Sequence, residues 1–296
     1  MGEVVHMKLA SIIKLMRPHQ YIKNLFIFLP LFFATSITDI GLLSNAFIAF
    51  IAFSLTASAI YTLNDYQDIE EDRQHPKKKD RPLASGIISK SQAIIIMSVL
   101  FVSGGTLMAS LSLNAAAILA AYIVMNIAYS FFLKHISIVD VNIIAIGFVL
   151  RLFIGAAVTY VHLSKWIVIM TFLLALFMAL AKRRDDVLIF LDTGEKMRQV
   201  IDGYNLRFLD AAMAIMASVV IVAYTIYTTS AEVIERVNNE HLYLTSFFVI
   251  LGVLHYLKIA FVNKDSGSPT QIIIKDHFMQ LILLGWVTTF ALMLYS

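Results

Sequence analysis

The 296-residue sequence contains no cysteine, which removes disulfides and every thiolate metal or redox site from consideration. It is also poor in charge. Asp, Glu, Lys and Arg make up 15% of the residues, too few to clothe an ordinary soluble domain, where about a quarter of residues are charged. Proline is scarce as well. Of Pro18, Pro30, Pro76, Pro82 and Pro269, only Pro30 falls inside a long apolar block, which argues against a transporter built on spans broken near the bilayer midplane. Residues 1–16 are polar to mixed and have no small-residue cleavage site behind a short apolar run. They read as a cytoplasmic lead-in helix rather than a signal peptide.

What is present is hydrophobic. Apolar residues make up 59% of the chain and come in blocks long enough to cross a bilayer, which takes about 20 residues per helix. The blocks run over 21–38, 43–64, 91–111, 113–133, 136–161, 164–181, 208–229, 242–262 and 278–296. The pattern predicts an all-α membrane protein of about nine transmembrane helices in a single domain over 1–296. Lys8, Lys14, Arg17, Lys23, the basic residues of 73–90, Lys134, those of 182–207, Lys258, Lys264 and Lys275 fall at one set of helix ends; only Lys165 and Arg236 fall at the other. The basic side is expected to be cytoplasmic, with the N-terminus inside and the C-terminus outside. Beyond the lead-in at 1–20, two long charged loops stand out, 65–90 and 182–207. Their four-helix separation suggests two equivalent halves and a final helix.

The first loop carries chemistry. At the end of the second block Asn64, Asp68 and Asp72 recur every fourth residue, and Asp65 lies three before Asp68. On a continued helix the three carboxylates share nearly one face. Such a stripe repels itself unless a hard cation such as Mg²⁺ joins it to a substrate phosphate. Lys77 and Arg81 follow in a basic stretch, and metal on one flank with ammonium and guanidinium on the other suits a polyphosphate. The alternative is a solvated, topology-setting loop, which leaves the carboxylate spacing unexplained.

Asn64-Asp65-x-x-Asp68-x-x-x-Asp72, then Lys77, then Arg81-Pro82-Leu83-x-Ser85-Gly86, resembles the first aspartate-rich motif of the UbiA superfamily of intramembrane prenyltransferases. The resemblance implies a nine-helix fold in the prokaryotic cytoplasmic membrane. It also implies a second Asp-x-x-x-Asp motif after the sixth helix, and Mg²⁺-bound diphosphate at both loops. The second motif departs from that pattern. Ala181-Lys182-Arg183-Arg184-Asp185-Asp186 keeps the second aspartate as Asp186 and puts Lys182 where the first is expected. Losing a carboxylate weakens a second metal site, and three cations make a direct phosphate site; alternatively they only anchor topology.

Together with Arg17-Pro18-x-Gln20-Tyr21-x-Lys23-Asn24, Tyr129-Ser130-x-x-Leu133-Lys134, Asp140-Val141 and Gly147-Phe148-Val149-Leu150-Arg151, this run is similar to the decaprenyl-phosphate phosphoribosyltransferase branch. That branch implies a phosphoribosyl diphosphate donor and a polyprenyl phosphate acceptor. On this reading Asp65, Asp68 and Asp72 hold Mg²⁺, supported by Asn64, Lys77 and Arg81. Lys182, Arg183, Arg184 and Lys134 take the 5-phosphate and the lipid phosphate, and Asp186 takes a ribose hydroxyl or a metal-bound water. Arg151 lies 11 residues beyond Asp140, almost three turns, so the two share a helix face. They are expected to face one cavity, with Lys23, Asn24 and Tyr129 as further contacts. A buried ion pair or an interhelical hydrogen bond is the other reading of Arg151. The partners expected are the two substrates and the lipid bilayer, with no nucleic acid and room for a homo-oligomer. A prenyltransferase acting on a prenyl diphosphate and an aromatic or lipid acceptor is the nearest alternative; a transporter of anionic solutes is the more distant one.

Overall fold

The computed structural model describes residues 2–74, 78–194, 196, 199–263, 272 and 275–295, of which every structural statement below is made. Lys77 lies outside them. The described residues form helices and connections without strands. Eight helices among them are long and apolar enough to cross a membrane. The chain divides into two compact units: Met1–Phe131 with Leu150–Leu163, and Phe132–Val149 with Ser164–Ser296. The division passes through one helix, Val139–Thr159.

The first unit contains α1 (Gly2–Met16), a 3₁₀ segment Pro18–Phe28, α2 (Leu29–Phe33), α3 (Ile40–Gln67), α4 (Ile69–Gln74), α5 (Lys90–Leu111), α6 (Leu113–Phe131) and the latter half of α7 (Val139–Thr159). The block at 21–38 therefore forms no long α-helix. Its contacts explain why. A 3₁₀ helix has three residues per turn, so every third side chain eclipses the last. Tyr21, Asn24 and Ile27 repeat at that spacing, and Asn24 and Ile27 are buried. The Tyr21 hydroxyl pairs with Ser58 Oγ at 2.9 Å and Asn24 Nδ2 donates to Ser54 Oγ at 2.9 Å, both on α3.

Two glycines allow backbones to meet. A Cβ at Gly155 of α7 would lie 2.1 Å from the Ile27 carbonyl oxygen, and one at Gly104 of α5 would lie 2.4 Å from Thr56 Oγ1 and 2.7 Å from the Ala52 carbonyl of α3. α3 packs chiefly on α5, and Phe53 and Ala57 of α3, Met108 of α5 and Leu119 of α6 share one cluster. Gly104→Ala is accordingly expected to cost about 1–3 kcal/mol through overpacking, read as a lowered detergent melting temperature. An unchanged melting temperature would mean that the α3–α5 contact is looser than described.

The second unit begins with Leu133–His135 and the first half of α7. It continues through α8 (Lys165–Thr193), a 3₁₀ turn Gln199–Gly203, α9 (Leu206–Thr229), α10 (Ala231–Val237), a 3₁₀ turn Glu240–Thr245, α11 (Ser246–Phe261) and α12 (His277–Tyr295). α8 packs on α9 and α11 on α9 and α12, around Phe177, Met213, Ala217, Val253 and Tyr256. α8 has 29 residues, about 44 Å at 1.5 Å per residue, more than the roughly 30 Å of a hydrocarbon core. The stretch expected as a loop from 182 is thus helical to Thr193, where Gly194 (φ 72°) ends the helix.

Candidate functional site

The charged residues of the first unit converge at the end of α3. Asp65 sits in the last helical turn and Asp72 in α4, and both are buried at 2% exposure. They are seven residues apart, close to two full turns, so they share a face. Asp68 is the C-cap between the two helices, with its amide bonded to the Asn64 carbonyl and its own carbonyl accepting from the Asp72 amide at 2.7 Å. Asn64 turns elsewhere: its side-chain oxygen accepts from the Ser130 hydroxyl of α6. The expected four-residue stripe is therefore replaced by a convergence of Asp65 with Asp72, and Asp68 is half-buried beside them.

A guanidinium joins the two carboxylates. Arg81 Nη1 donates to Asp65 Oδ1 at 2.9 Å and to Asp72 Oδ2 at 2.7 Å. Arg17 Nη2 donates to the same Asp65 oxygen at 2.5 Å, and Lys78 Nζ lies 4.0 Å from Asp72 Oδ1. The basic loop is held in place by Leu83 and Ile88, which pack on Leu15 of α1 and Ile69 of α4. Lys14 Nζ adds a bond to the Asp80 carbonyl, and Ser89 and Gln92 close a capping box on α5. Lys14, Arg17, His19, Asp65, Arg81 and Pro82 line a cavity of ≈ 270 Å³. Partial burial, with Arg17 and Lys23 nearby, holds the His19 imidazole below its ordinary pKa. The ring is then a neutral hydrogen-bonding group beside the three cations.

Arg17, Lys14 and His19 were not singled out as site residues from sequence. The local signal is the Arg17-Pro18 dipeptide. Arg17 adopts φ 55°, ψ 57°, a left-handed conformation uncommon outside glycine, and such strain gathers at functional positions. It starts the 3₁₀ segment and turns the side chain toward Asp65.

Whether these residues suit a metal follows from the bridge. Among the described residues no three His, Asp or Glu side chains form a metal-binding group. Asp65 and Asp72 nevertheless share one cation through a single nitrogen. Mg²⁺ keeps several waters and typically takes one or two carboxylates alongside substrate phosphates. Two carboxylates one cation apart, with Asp68 adjacent, are a donor set of that kind.

Deeper in this unit Arg151 is 5% exposed. Its guanidinium carbon lies 4.6 Å from the Phe53 ring centroid and 5.4 Å from that of Tyr122, and Nε donates to Asn24 Oδ1 at 2.9 Å. Arg151 and Asn24 thus join α7 to the 3₁₀ segment. Each cation–π contact contributes about 0.5–2 kcal/mol. Arg151→Leu is expected to lower the detergent melting temperature, with residual activity tracking the folded fraction and partial recovery in Arg151→Lys. An unchanged melting temperature with lost turnover would return Arg151 to the substrate. Lys23 and Tyr129 are half-buried in this same unit.

The second unit holds its own charged cluster. Arg183 and Asp140 are both 0% exposed, with Arg183 Nε 2.6 Å from Asp140 Oδ2. Arg183 Nη1 also donates to Asp186, one turn along α8. The Tyr204 hydroxyl donates to Asp140 Oδ1 at 2.6 Å and accepts from the Ile138 amide at 2.6 Å. Burial, and then the bond to Asp140, raise the Tyr204 pKa, so the phenol stays a donor. Arg184 Nε donates to Asp210 Oδ1 at 2.6 Å and its Nη1 to the Ala260 carbonyl at 2.7 Å, and its guanidinium carbon lies 4.9 Å from the Phe261 ring centroid.

These pairings change the sequence picture. Arg183 and Arg184, expected on substrate phosphates, tie α8 to α7, α9 and α11. Asp186, expected on a ribose hydroxyl or a metal-bound water, is engaged by Arg183. Asp140 and Arg151, expected to face one cavity, belong to different clusters in different units, each with partners of its own. Lys182 and Lys134 are half-buried. Tyr204 was not anticipated, because its partner lies 64 residues away.

Among the described residues the chain is helical, with an acidic helix end clamped by a basic loop and a second charged stretch inside α8, a make-up that suits an intramembrane transferase. The chain belongs to the UbiA prenyltransferase family, whose model matches residues 25–282. It is similar to a Mycolicibacterium smegmatis protein named decaprenyl-phosphate phosphoribosyltransferase, 29% identical over 300 residues, which cover 97% of this chain and 93% of that one. A Corynebacterium glutamicum protein of the same name is 28% identical over 293 residues, 96% of this chain and 87% of that one. Among solved structures, a UbiA homolog from Archaeoglobus fulgidus bound to DMAPP and Mg²⁺ superimposes with a TM-score of 0.72. It is 18% identical, and the match covers 97% of this chain and 99% of that one. That likeness shows the fold. The protein is an integral membrane transferase of this family.

Proposed function

We propose that this protein transfers the 5-phosphoribosyl group from phosphoribosyl diphosphate to a polyprenyl phosphate and releases diphosphate. The observation that carries the reading is the charged stretch inside α8. Lys182 stands where a prenyltransferase of this family is expected to have a carboxylate, and Asp186 is engaged by Arg183. That stretch therefore carries a cation where a pair of metal ligands would need a carboxylate. A donor with a separate 5-phosphate needs such a cation; a prenyl diphosphate has no second phosphate group to satisfy. The names of the near-full-length relatives support the same reading.

A phosphate oxygen of the lipid attacks C1 of the ribose, and the bond from C1 to the diphosphate breaks. The lipid phosphate needs no general base, since a phosphate monoester has a second pKa of about 6 and is mostly dianionic at neutral pH. Catalysis is then positioning plus electrostatics. Arg17, Lys14 and Arg81 neutralise the diphosphate, with Lys77 in support. Lys182 and Lys134 take the 5-phosphate and the lipid phosphate. Asp65, Asp68 and Asp72 would hold Mg²⁺, which supplies charge neutralisation to the departing diphosphate.

Lys182→Asp tests the assignment of the cation. A carboxylate there repels the donor's phosphate, so the KM for phosphoribosyl diphosphate should rise at least tenfold, the effect of about 1.4 kcal/mol. Wild-type affinity for the donor in this variant would remove Lys182 from the site.

A further inference from the structure

The Arg81 bridge bears on how metal and donor enter. Its nitrogen lies 2.9 Å from an Asp65 oxygen and 2.7 Å from an Asp72 oxygen, where a cation shared by the two carboxylates would sit. Arg17 covers the same Asp65 oxygen, and Lys78 and Lys14 stand close by. An arginine in a protein does not deprotonate, so this cation cannot be removed by pH; it can only be displaced. A bare divalent ion approaching Asp65 and Asp72 must push a guanidinium into a cavity already lined by Lys14 and Arg17. A metal arriving with a diphosphate meets a different balance, because the anion receives the displaced guanidinium in a charge-assisted bond. The Arg81 side chain is 27% exposed, which leaves it room to move.

We infer that Arg81 is an internal counter-cation that holds the metal carboxylates closed until a metal–diphosphate complex arrives, so that metal and donor bind as one unit. This rests on the diphosphate reading of the first unit, whatever group the diphosphate carries. Arg81 acts here as a positioning residue: it exchanges Asp65 and Asp72 for the donor's diphosphate as the metal takes its place.

The test is equilibrium binding of Mn²⁺ to the purified full chain, followed by the electron paramagnetic resonance of free Mn²⁺, with and without inorganic diphosphate. Wild-type protein is expected to bind Mn²⁺ at least tenfold more tightly when diphosphate is present, after correction for the Mn²⁺–diphosphate complex in solution. Arg81→Gln should bind Mn²⁺ alone at least tenfold more tightly than wild type and lose most of the dependence on diphosphate. Arg81→Lys, which keeps the charge, should return toward wild type. Arg73→Gln should behave as wild type, since Arg73 bonds Glu70 and the Ala84 carbonyl instead. Equal wild-type affinity with and without diphosphate overturns the inference without any variant. So does an Arg81→Gln protein that binds Mn²⁺ no better than wild type. Should the Mn²⁺ pattern appear while no phosphoribosyl lipid forms, the exchange stands and the donor assignment falls.

Discussion

Asp72→Asn is expected to lower turnover by roughly 10²–10³-fold, the range for removing one preorganised electrostatic contact to developing charge, while leaving the protein folded. Asp72 is buried and bonded to Arg81. The amide keeps an acceptor oxygen but removes the negative charge that a hard cation requires. Arg81 retains Asp65, and its partly exposed side chain lets water replace the missing partner. The detergent melting temperature should therefore move little. The measurement pairs initial rates with melting on one preparation. Near-wild-type rates would remove Asp72 from the metal set; lost activity with a collapsed melting temperature would make it structural.

Arg183→Leu should behave in the opposite way. The guanidinium is fully buried and serves Asp140, which is also fully buried, together with Asp186. Removing it takes the guanidinium from Asp140, which keeps only the neutral Tyr204 hydroxyl of its two described side-chain partners. Breaking a buried ion pair by deleting one partner costs about 3–5 kcal/mol, a large share of the 5–15 kcal/mol that holds a typical domain together. The expected result is a sharply lower melting temperature and poor recovery of monodisperse protein in detergent. A normal melting temperature with lost activity would return Arg183 to the substrate phosphates, where sequence alone had put it.

That contrast shows what sequence could and could not carry. The long helices α3, α5 to α9, α11 and α12 are legible because a bilayer demands unbroken apolar runs, and apart from α8, which continues past its block to Thr193, their ends fall close to the runs of hydrophobic residues. The aspartates at the end of α3 are legible because like charges on one helix face need a counter-cation. Sequence does not say that Arg81 is that cation, because the bond spans a loop. Nor does it say that Arg183 and Arg184 are neutralised, since Asp140 and Asp210 lie 43 and 26 residues away. A run of Lys and Arg looks alike whether it faces phosphate or carboxylate. The block at 21–38 failed as a long helix for a related reason. Hydrogen bonds from Tyr21 and Asn24 to α3, and the close approach of Gly155 to Ile27, override its apolar composition.

Incubation of the purified protein in lipid with Mg²⁺, a polyprenyl phosphate and radiolabelled phosphoribosyl diphosphate tests donor and acceptor together. Label should pass into the organic phase only when polyprenyl phosphate is present, with diphosphate released in equal amount and transfer abolished by EDTA. Label that stays in the aqueous phase, while a labelled prenyl diphosphate is transferred to an aromatic or lipid acceptor, would contradict the phosphoribosyl reading and make the protein a prenyl transferase.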